Sequence, residues 1–108
     1  MISGINSALS GLDVFSGMVN AAAGNLANLN TTGYQSARLE IGALGASGQR
    51  GNEVGQGAMI MATAREGANV DPAREMISLI IGQRGYQANI KSLRTASDLL
   101  GSVLDTRA

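Results

Sequence analysis

Residues 71–106 read DPAREMISLIIGQRGYQANIKSLRTASDLLGSVLDT, and the spacing of side chains within this stretch decides the fold. Steps of three and four residues alternate along it, which is the heptad pattern of a helix that packs against other helices. Asp71 is a candidate N-cap, and Pro72 suits the first position of a helix. We therefore predict a helix over residues 71–106 whose heptad seam consists of Met76, Leu79, Gln83, Tyr86, Ile90, Leu93, Ser97, Leu100 and Leu104.

A second seam with the same spacing lies near the start of the chain and predicts a helix over residues 3–29. It consists of Ile5, Leu9, Leu12, Ser16, Val19, Ala23 and Leu26. A long amphipathic helix is not stable alone in water, because its apolar stripe needs a partner. We expect each helix to be covered by the other helix of the same chain or by copies in other chains.

The C-terminal helix is too apolar for a single partner. Ile77, Ile80, Ile81, Leu99 and Val103 lie beside its seam, so the apolar surface is wider than one neighbouring helix covers. This width predicts assembly with further chains. The predicted assembly interface consists of Leu9, Leu12, Val19, Leu26, Met76, Leu79, Tyr86, Ile90, Leu93, Leu100 and Leu104.

A glycine-rich segment, residues 30–70, separates the two helices. Residues 37–41 and 58–62 have the composition of two short strands, and residues 42–57 have that of a loop or hairpin tip. The predicted fold is therefore mainly α. Two long N- and C-terminal helices in coiled-coil packing form one axial domain, with a short Gly-rich β-hairpin or loop segment between them.

Composition excludes several classes of function. The chain has no Cys and no His, which removes the usual ligands of zinc, haem and iron–sulfur sites and the base of His-assisted nucleophiles. Eight basic and eight acidic residues give a net charge of zero, which argues against nucleic-acid binding. We expect no cofactor, no metal, no small-molecule substrate and no catalysis. We also predict no secretory signal peptide, since residues 1–11 lack a basic residue and a continuous apolar run.

Two polar motifs stand out against this background. The first spans the end of the N-terminal helix and the turn after it. It combines Asn25, Asn28, Thr31, Gly33 and Tyr34, which fits either an ordinary helix end and turn or a denser set of side-chain-to-backbone hydrogen bonds. The second lies in the C-terminal helix, where Gln83-Arg84-Gly85-Tyr86-Gln87-Ala88-Asn89 forms a polar patch. Amides near a helix seam can specify the register of pairing.

Together the two motifs resemble the terminal signatures of the bacterial flagellar rod, hook and hook-associated axial proteins. The first is similar to the family pattern A-N-N-L-A-N-x-x-T-x-G-Y-K/R. The second, with Asn69-Val70-Asp71 before it, is similar to N-V-D/N followed by Q-R-x-Y-x-A/S-N. Gly24 stands where Asn is usual, Gln35 stands where a basic residue is usual, and Gly82 and Gly85 are unusual inside the second helix. The residues that carry the resemblance are Asn25, Leu26, Ala27, Asn28, Thr31, Gly33, Tyr34, Asn69, Val70, Gln83, Arg84, Tyr86, Asn89 and Thr95.

The resemblance implies a structural subunit of the flagellar basal-body rod that polymerises through its terminal helices. Its partners would be copies of itself, other flagellar axial subunits and the flagellar type III export apparatus, which exports subunits without a cleaved signal to the periplasmic rod. The short segment between the helices is most like that of a proximal-rod subunit. The alternative interpretation is a secreted helical-hairpin adaptor or effector that binds a single protein partner.

Overall fold

Two long helices and a two-stranded hairpin make up the described part of the chain in a computed structural model. The structure describes residues 2–43, 57–67 and 70–107 and, of residues 2, 3 and 107, the backbone alone. Helix α1 spans Ile2–Ala27, strand β1 Ser36–Ala43, strand β2 Ala58–Glu66 and helix α2 Pro72–Arg107. This order confirms the predicted fold class. Most of the loop predicted over residues 42–57, together with Asn69, lies outside the described residues.

The two strands pair in antiparallel register and form the only sheet within the described ranges. Glu40 lies opposite Ala62, whereas the next residue, Ile41, lies opposite Ile60. Met61 is therefore an extra residue in β2, which is the arrangement of a β-bulge. Both strands extend beyond the short runs that their composition predicts.

The hairpin lies along α1. At the start of β2, the backbone N–H of Ala58 donates a hydrogen bond to the Ser10 hydroxyl at 3.2 Å. Further along, Leu39 and Ile60 approach Gly17, where a side chain larger than hydrogen would meet them. The hairpin thus covers one side of α1 with apolar residues from both strands.

The two helices are antiparallel and approach closely where α2 carries glycine. Phe15 of α1 packs against Gly85, and Val19, one turn later in α1, packs against Gly82, one turn earlier in α2. A Cβ atom placed on Gly82 would lie 2.6 Å from the Val19 methyl carbon Cγ2. Glycine at these two positions therefore allows the large side chains of α1 to reach the α2 backbone.

Asp71 caps the start of α2. Its carboxylate oxygen Oδ1 accepts a hydrogen bond from the Ala73 N–H at 3.1 Å, and its carbonyl accepts the first helical bond from Glu75 at 3.0 Å. Pro72 occupies the first helical position, where its missing N–H costs nothing. The predicted N-cap is confirmed.

The fold is long and thin, with extents of 63 × 31 × 14 Å. Among the described residues, the fully buried apolar side chains are Ala8, Val14 and Ala22, all on α1. No helix in the described ranges has the length and apolarity that a membrane span requires. A core of this size leaves most large apolar side chains at or near the surface.

Candidate assembly interface

Nine large apolar side chains are exposed on α2. The most exposed is Leu104, at 70% of its reference area. Monomeric soluble proteins rarely expose contiguous apolar surface of this kind. The exposed apolar residues of α2 are Met76, Ile77, Ile80, Ile81, Tyr86, Leu99, Leu100, Val103 and Leu104.

The eleven residues of the predicted interface fall into two groups in the structure. Six are half-buried: Leu12, Val19, Leu26, Leu79, Ile90 and Leu93. Five are exposed: Leu9, Met76, Tyr86, Leu100 and Leu104. The exposed group is the part of the predicted interface that this chain leaves free for a partner.

The line along which α2 contacts α1 differs from the predicted seam. Glu75 and Gly82 are buried, and Gly85 and Asn89 contact α1, whereas Met76 and Gln83, one residue further along, are exposed. The contact line is therefore displaced by about one residue, toward small and polar side chains. Glycine suits position 85 on this contact line because it permits the close approach of Phe15, which a branched apolar side chain would prevent.

A groove of about 590 Å³ lies between the two helices on the side of the predicted seam. Its apolar walls come from Val19, Leu79 and Tyr86, and its rim carries amide and hydroxyl groups from Ser16, Asn20, Gln83 and Gln87. Three predicted interface residues thus meet in one concave surface. An apolar groove with a polar rim is suited to accepting a side chain from another helix.

The first polar motif is built around Asn25, which is only 1% exposed. Its Nδ2 donates to the Ala37 carbonyl at 3.0 Å, and its Oδ1 accepts from the Ala37 N–H at 2.8 Å and from the Tyr34 hydroxyl at 2.9 Å. One side chain therefore satisfies both backbone groups of Ala37, as a neighbouring strand would. Asn25 fixes the start of β1 onto the end of α1.

The rest of this motif forms the turn that leaves α1. Asn28 donates from Nδ2 to the Gly24 carbonyl at 2.9 Å and accepts from the Thr31 hydroxyl at 3.2 Å. Gly33 has a φ of 76°, a backbone conformation that is strained for residues with a side chain. Tyr34, whose hydroxyl reaches Asn25, also lies under the Arg65 guanidinium at 5.8 Å. The motif is thus a dense hydrogen-bonded turn.

Ion pairs join the hairpin to the start of α2, and sequence reasoning missed them. Arg38 Nε forms an ion pair with Glu66 at 2.9 Å without a hydrogen bond, and Arg38 Nη2 lies 3.9 Å from the buried carboxylate of Glu75. Arg74 lies 3.9 Å from Glu66. The sequence shows charged residues alternating with apolar ones in β1, but it does not indicate their partners. These pairs place α2 relative to β1.

The second polar motif lies partly at the contact with α1 and partly on the exposed surface of α2. Asn89 is half-buried against α1 and donates to the Gly85 carbonyl at 3.1 Å, and Thr95 donates to the Lys91 carbonyl at 3.0 Å. Gln83, Arg84 and Tyr86 are exposed. Of the remaining signature residues, Leu26 and Val70 are half-buried, Ala27 is exposed, and Asn69 is not among the described residues.

Within the described ranges, no group of three or more acidic residues lies close enough together to hold a metal ion. What the arrangement can do is bind other apolar helical surfaces, through the groove and through the exposed faces of α2.

Comparison with known proteins finds matches in both helical parts of the chain. Residues 5–35 match the family model described as flagella basal body rod protein, and residues 59–106 match the model described as flagellar basal body rod FlgEFG protein C-terminal. The first match contains most of α1 and its turn, and the second contains most of β2 and α2. Each polar motif therefore lies within or largely within a matched region.

Two flagellar hook proteins illustrate the similarity. The flagellar hook protein FlgE of Escherichia coli (strain K12) is 34% identical over 44 residues, which is 41% of this chain and 11% of the hook protein. The hook protein FlgE of Helicobacter pylori (strain 26695) is 36% identical over 53 residues, which is 49% of this chain and 7% of the hook protein. The chain therefore spans about a tenth of the length of these relatives.

Proposed function

Because the chain belongs to the bacterial flagellar rod and hook axial family, we propose that it is a structural subunit of the basal-body rod that polymerises through its two helices. The observation that carries this proposal is the distribution of apolar side chains. The fully buried apolar residues among those described are two alanines and a valine, whereas nine large apolar residues of α2 are exposed. Such surface is stabilised when neighbouring subunits cover it.

Burial of these side chains would supply the free energy of assembly. Each of the nine is about half exposed, so covering it contributes roughly 1 kcal/mol, and the set contributes on the order of 10 kcal/mol before the cost of ordering is subtracted. Residues 97–106 at the end of α2 are all exposed, so this end has little support from the rest of the described chain. Ordering of the helix ends and docking onto the growing rod are therefore coupled.

The segment between the helices supports a place in the proximal part of the rod. In the structure it contains one two-stranded hairpin within the described residues, from Ser36 to Glu66. The hook relatives have many times more chain than this protein matches. In our proposal the subunit is not an enzyme, and it reaches the periplasmic rod through the flagellar export apparatus without cleavage of a signal. The intact mass of the protein recovered from basal bodies tests the last point.

A substitution at Leu104 tests the proposed function. Leu104 is exposed and makes little contact within the chain, so Leu104→Asn removes an apolar contact with partners and leaves the monomer intact. We expect its amount in purified basal bodies to fall at least tenfold, as measured by immunoblot against a constant basal-body component. Leu104→Met is the matched control, because it keeps the apolar volume, and it should be incorporated like the wild type.

Two further results would decide against the proposal. One is normal incorporation of a Leu100→Asn/Leu104→Asn double variant, which would mean that the exposed end of α2 is not an assembly surface. The other is absence of the wild-type protein from basal bodies together with a stable one-to-one complex with an unrelated protein. That outcome is the one expected of a helical-hairpin adaptor.

A further inference from the structure

Charged side chains form a heptad repeat of their own on α2. Arg84, Lys91, Asp98 and Asp105 follow one another at intervals of seven residues and are all exposed. The two positive charges come first and the two negative charges second. At 3.5 to 3.6 residues per turn, residues seven apart lie on one face of a helix.

These four residues belong to a longer seam that the contact with α1 does not use. Alternating steps of four and three residues connect Ile77 and Ile81 to the charged residues through small or polar positions. Every member is exposed, and the seam faces away from Gly82, which is buried against α1. We call this set the charged seam; its members are Ile77, Ile81, Arg84, Ala88, Lys91, Thr95, Asp98, Ser102 and Asp105.

The four charges lack partners within the described part of the chain. The ion pairs of the described residues all lie at the other end of α2, among Arg38, Glu66, Arg74 and Glu75. The basic half of the seam also borders a shallow groove of about 410 Å³, to which Arg84, Ala88 and Lys91 contribute. A concave basic surface and an acidic segment of matching spacing are thus present on the same helix.

We propose that the charged seam pairs with the charged seam of a second copy of this chain, in the same direction and displaced by two heptads. Arg84 and Lys91 of one copy then face Asp98 and Asp105 of the next. The displacement is about 21 Å along the helix axis, at 1.5 Å per residue. This inference rests on the proposed function, and it specifies the register between neighbouring subunits.

Antiparallel pairing also brings opposite charges together, but it leaves the apolar residues of the seam uncovered. An antiparallel pair would bring Arg84 to Asp105 and Lys91 to Asp98, with its centre between residues 94 and 95. Ile77 and Ile81 would then lie beyond the end of the partner's α2. In the parallel, displaced pair Ile81 lies beside Thr95 and Ile77 beside the alkyl stem of Lys91, so both isoleucines are covered.

The parallel contact also suits an open polymer. Two copies related by a displacement present different surfaces to each other, so each copy can bind one neighbour through its basic half and another through its acidic half. Exposed ion pairs contribute little affinity, but they set direction and register. A parallel pair without displacement would place like charges opposite each other, which disfavours it.

Charge reversal tests the pairing in the full-length protein. Asp98→Lys/Asp105→Arg makes the seam entirely basic, and Arg84→Asp/Lys91→Asp makes it entirely acidic. We expect each variant alone to need about tenfold higher concentration for self-association at low salt, as measured by sedimentation velocity, and an equimolar mixture to recover the wild-type value. A mixture that associates no better than either variant would overturn the pairing.

Cross-linking tests the direction, and the chain has no cysteine of its own to interfere. With Ala88→Cys/Ser102→Cys, the parallel displaced contact predicts a ladder of oxidised dimers, trimers and larger species. With Thr95→Cys alone it predicts monomers, whereas an antiparallel pair brings the two Thr95 positions together and gives a dimer. A Thr95→Cys dimer, or the absence of a ladder from the double variant, would overturn the proposal.

The proposed function can survive the failure of this inference. If charge reversal leaves self-association and basal-body incorporation unchanged while Leu104→Asn still blocks incorporation, the subunit assembles through its apolar faces in another register. If wild-type protein neither self-associates at millimolar concentration nor enters basal bodies, both ideas are wrong.

Discussion

Replacing Asn25 with alanine removes the side chain that joins α1 to the hairpin. Asn25 is 1% exposed and makes three hydrogen bonds, two to the backbone of Ala37 and one to the Tyr34 hydroxyl. Each bond contributes about 1 kcal/mol, and the Ala37 N–H and carbonyl lose their partner in a part-buried position. We therefore expect Asn25→Ala to lower the free energy of unfolding by about 3 kcal/mol.

Two measurements report this loss at different scales. Urea unfolding followed by circular dichroism gives the global free energy, with all variants at one protein concentration because self-association would add to it. Hydrogen exchange reports the Ala37 amide directly, since its acceptor is Asn25 Oδ1. A loss of about 3 kcal/mol corresponds to roughly a hundredfold faster exchange. Asn28→Ala is the matched control, and we expect it to cost about 1 kcal/mol.

The double variant separates the shared bond from the rest of the network. Tyr34→Phe alone should cost about 1 kcal/mol, because it removes only the hydroxyl that donates to Asn25. In the Asn25→Ala background it should cost almost nothing, since the acceptor is already absent. Additive losses, or a cost of Asn25→Ala below that of Asn28→Ala, would refute the view that Asn25 holds the hairpin on α1.

Three other substitutions test the packing of α2. Gly85→Ala should destabilise the chain by about 1 kcal/mol or more in urea unfolding, because the added methyl group collides with the Phe15 ring and outweighs the gain in helix propensity. A methyl group added by Gly101→Ala meets open space and should instead stabilise the chain by about 0.5 to 1 kcal/mol. Equal effects of the two substitutions on stability would exclude the close approach of Phe15 to Gly85. Glu75→Gln keeps its shape and loses its charge opposite Arg38, so we expect a loss of about 1 kcal/mol that 1 M salt reduces; a loss independent of salt would mean that the ion pair does not stabilise α2.

The two long helices could be predicted from the sequence because their heptad spacing continues over many turns. The line of contact between them could not. Counting apolar residues placed the seam on Met76 and Tyr86, yet both are exposed and Gly82 lies at the contact instead. Hydrophobicity scales give glycine little weight. At position 82 glycine matters for steric reasons, because it leaves room for the Val19 side chain, and that contact cannot be read from the sequence.

The candidate site, too, could be predicted only in part from the sequence. Asn25 was singled out from its motif, and the expectation of dense side-chain-to-backbone bonding at the end of α1 agrees with the geometry. Its main partner, Ala37, was not predicted, because the contact depends on how the chain turns back over α1. The pairing of Arg38 with Glu75 was missed for the same reason, since it joins a strand to a helix that is distant in sequence.

The distribution of side chains separates the contacts that specify this fold from the surface that, in our proposal, drives association. The helices meet through glycines and part-buried amides, and the hairpin is held by Asn25 and by ion pairs, so direction and position are set by steric fit and hydrogen bonds. The large apolar side chains of α2 lie mostly outside these contacts. Hydrophobic free energy is therefore largely unused within one chain and remains available for contacts between chains. It follows that substitutions at Asn25 or Gly85 should impair folding first, whereas those at Leu104 should impair incorporation and leave the stability of the single chain unchanged.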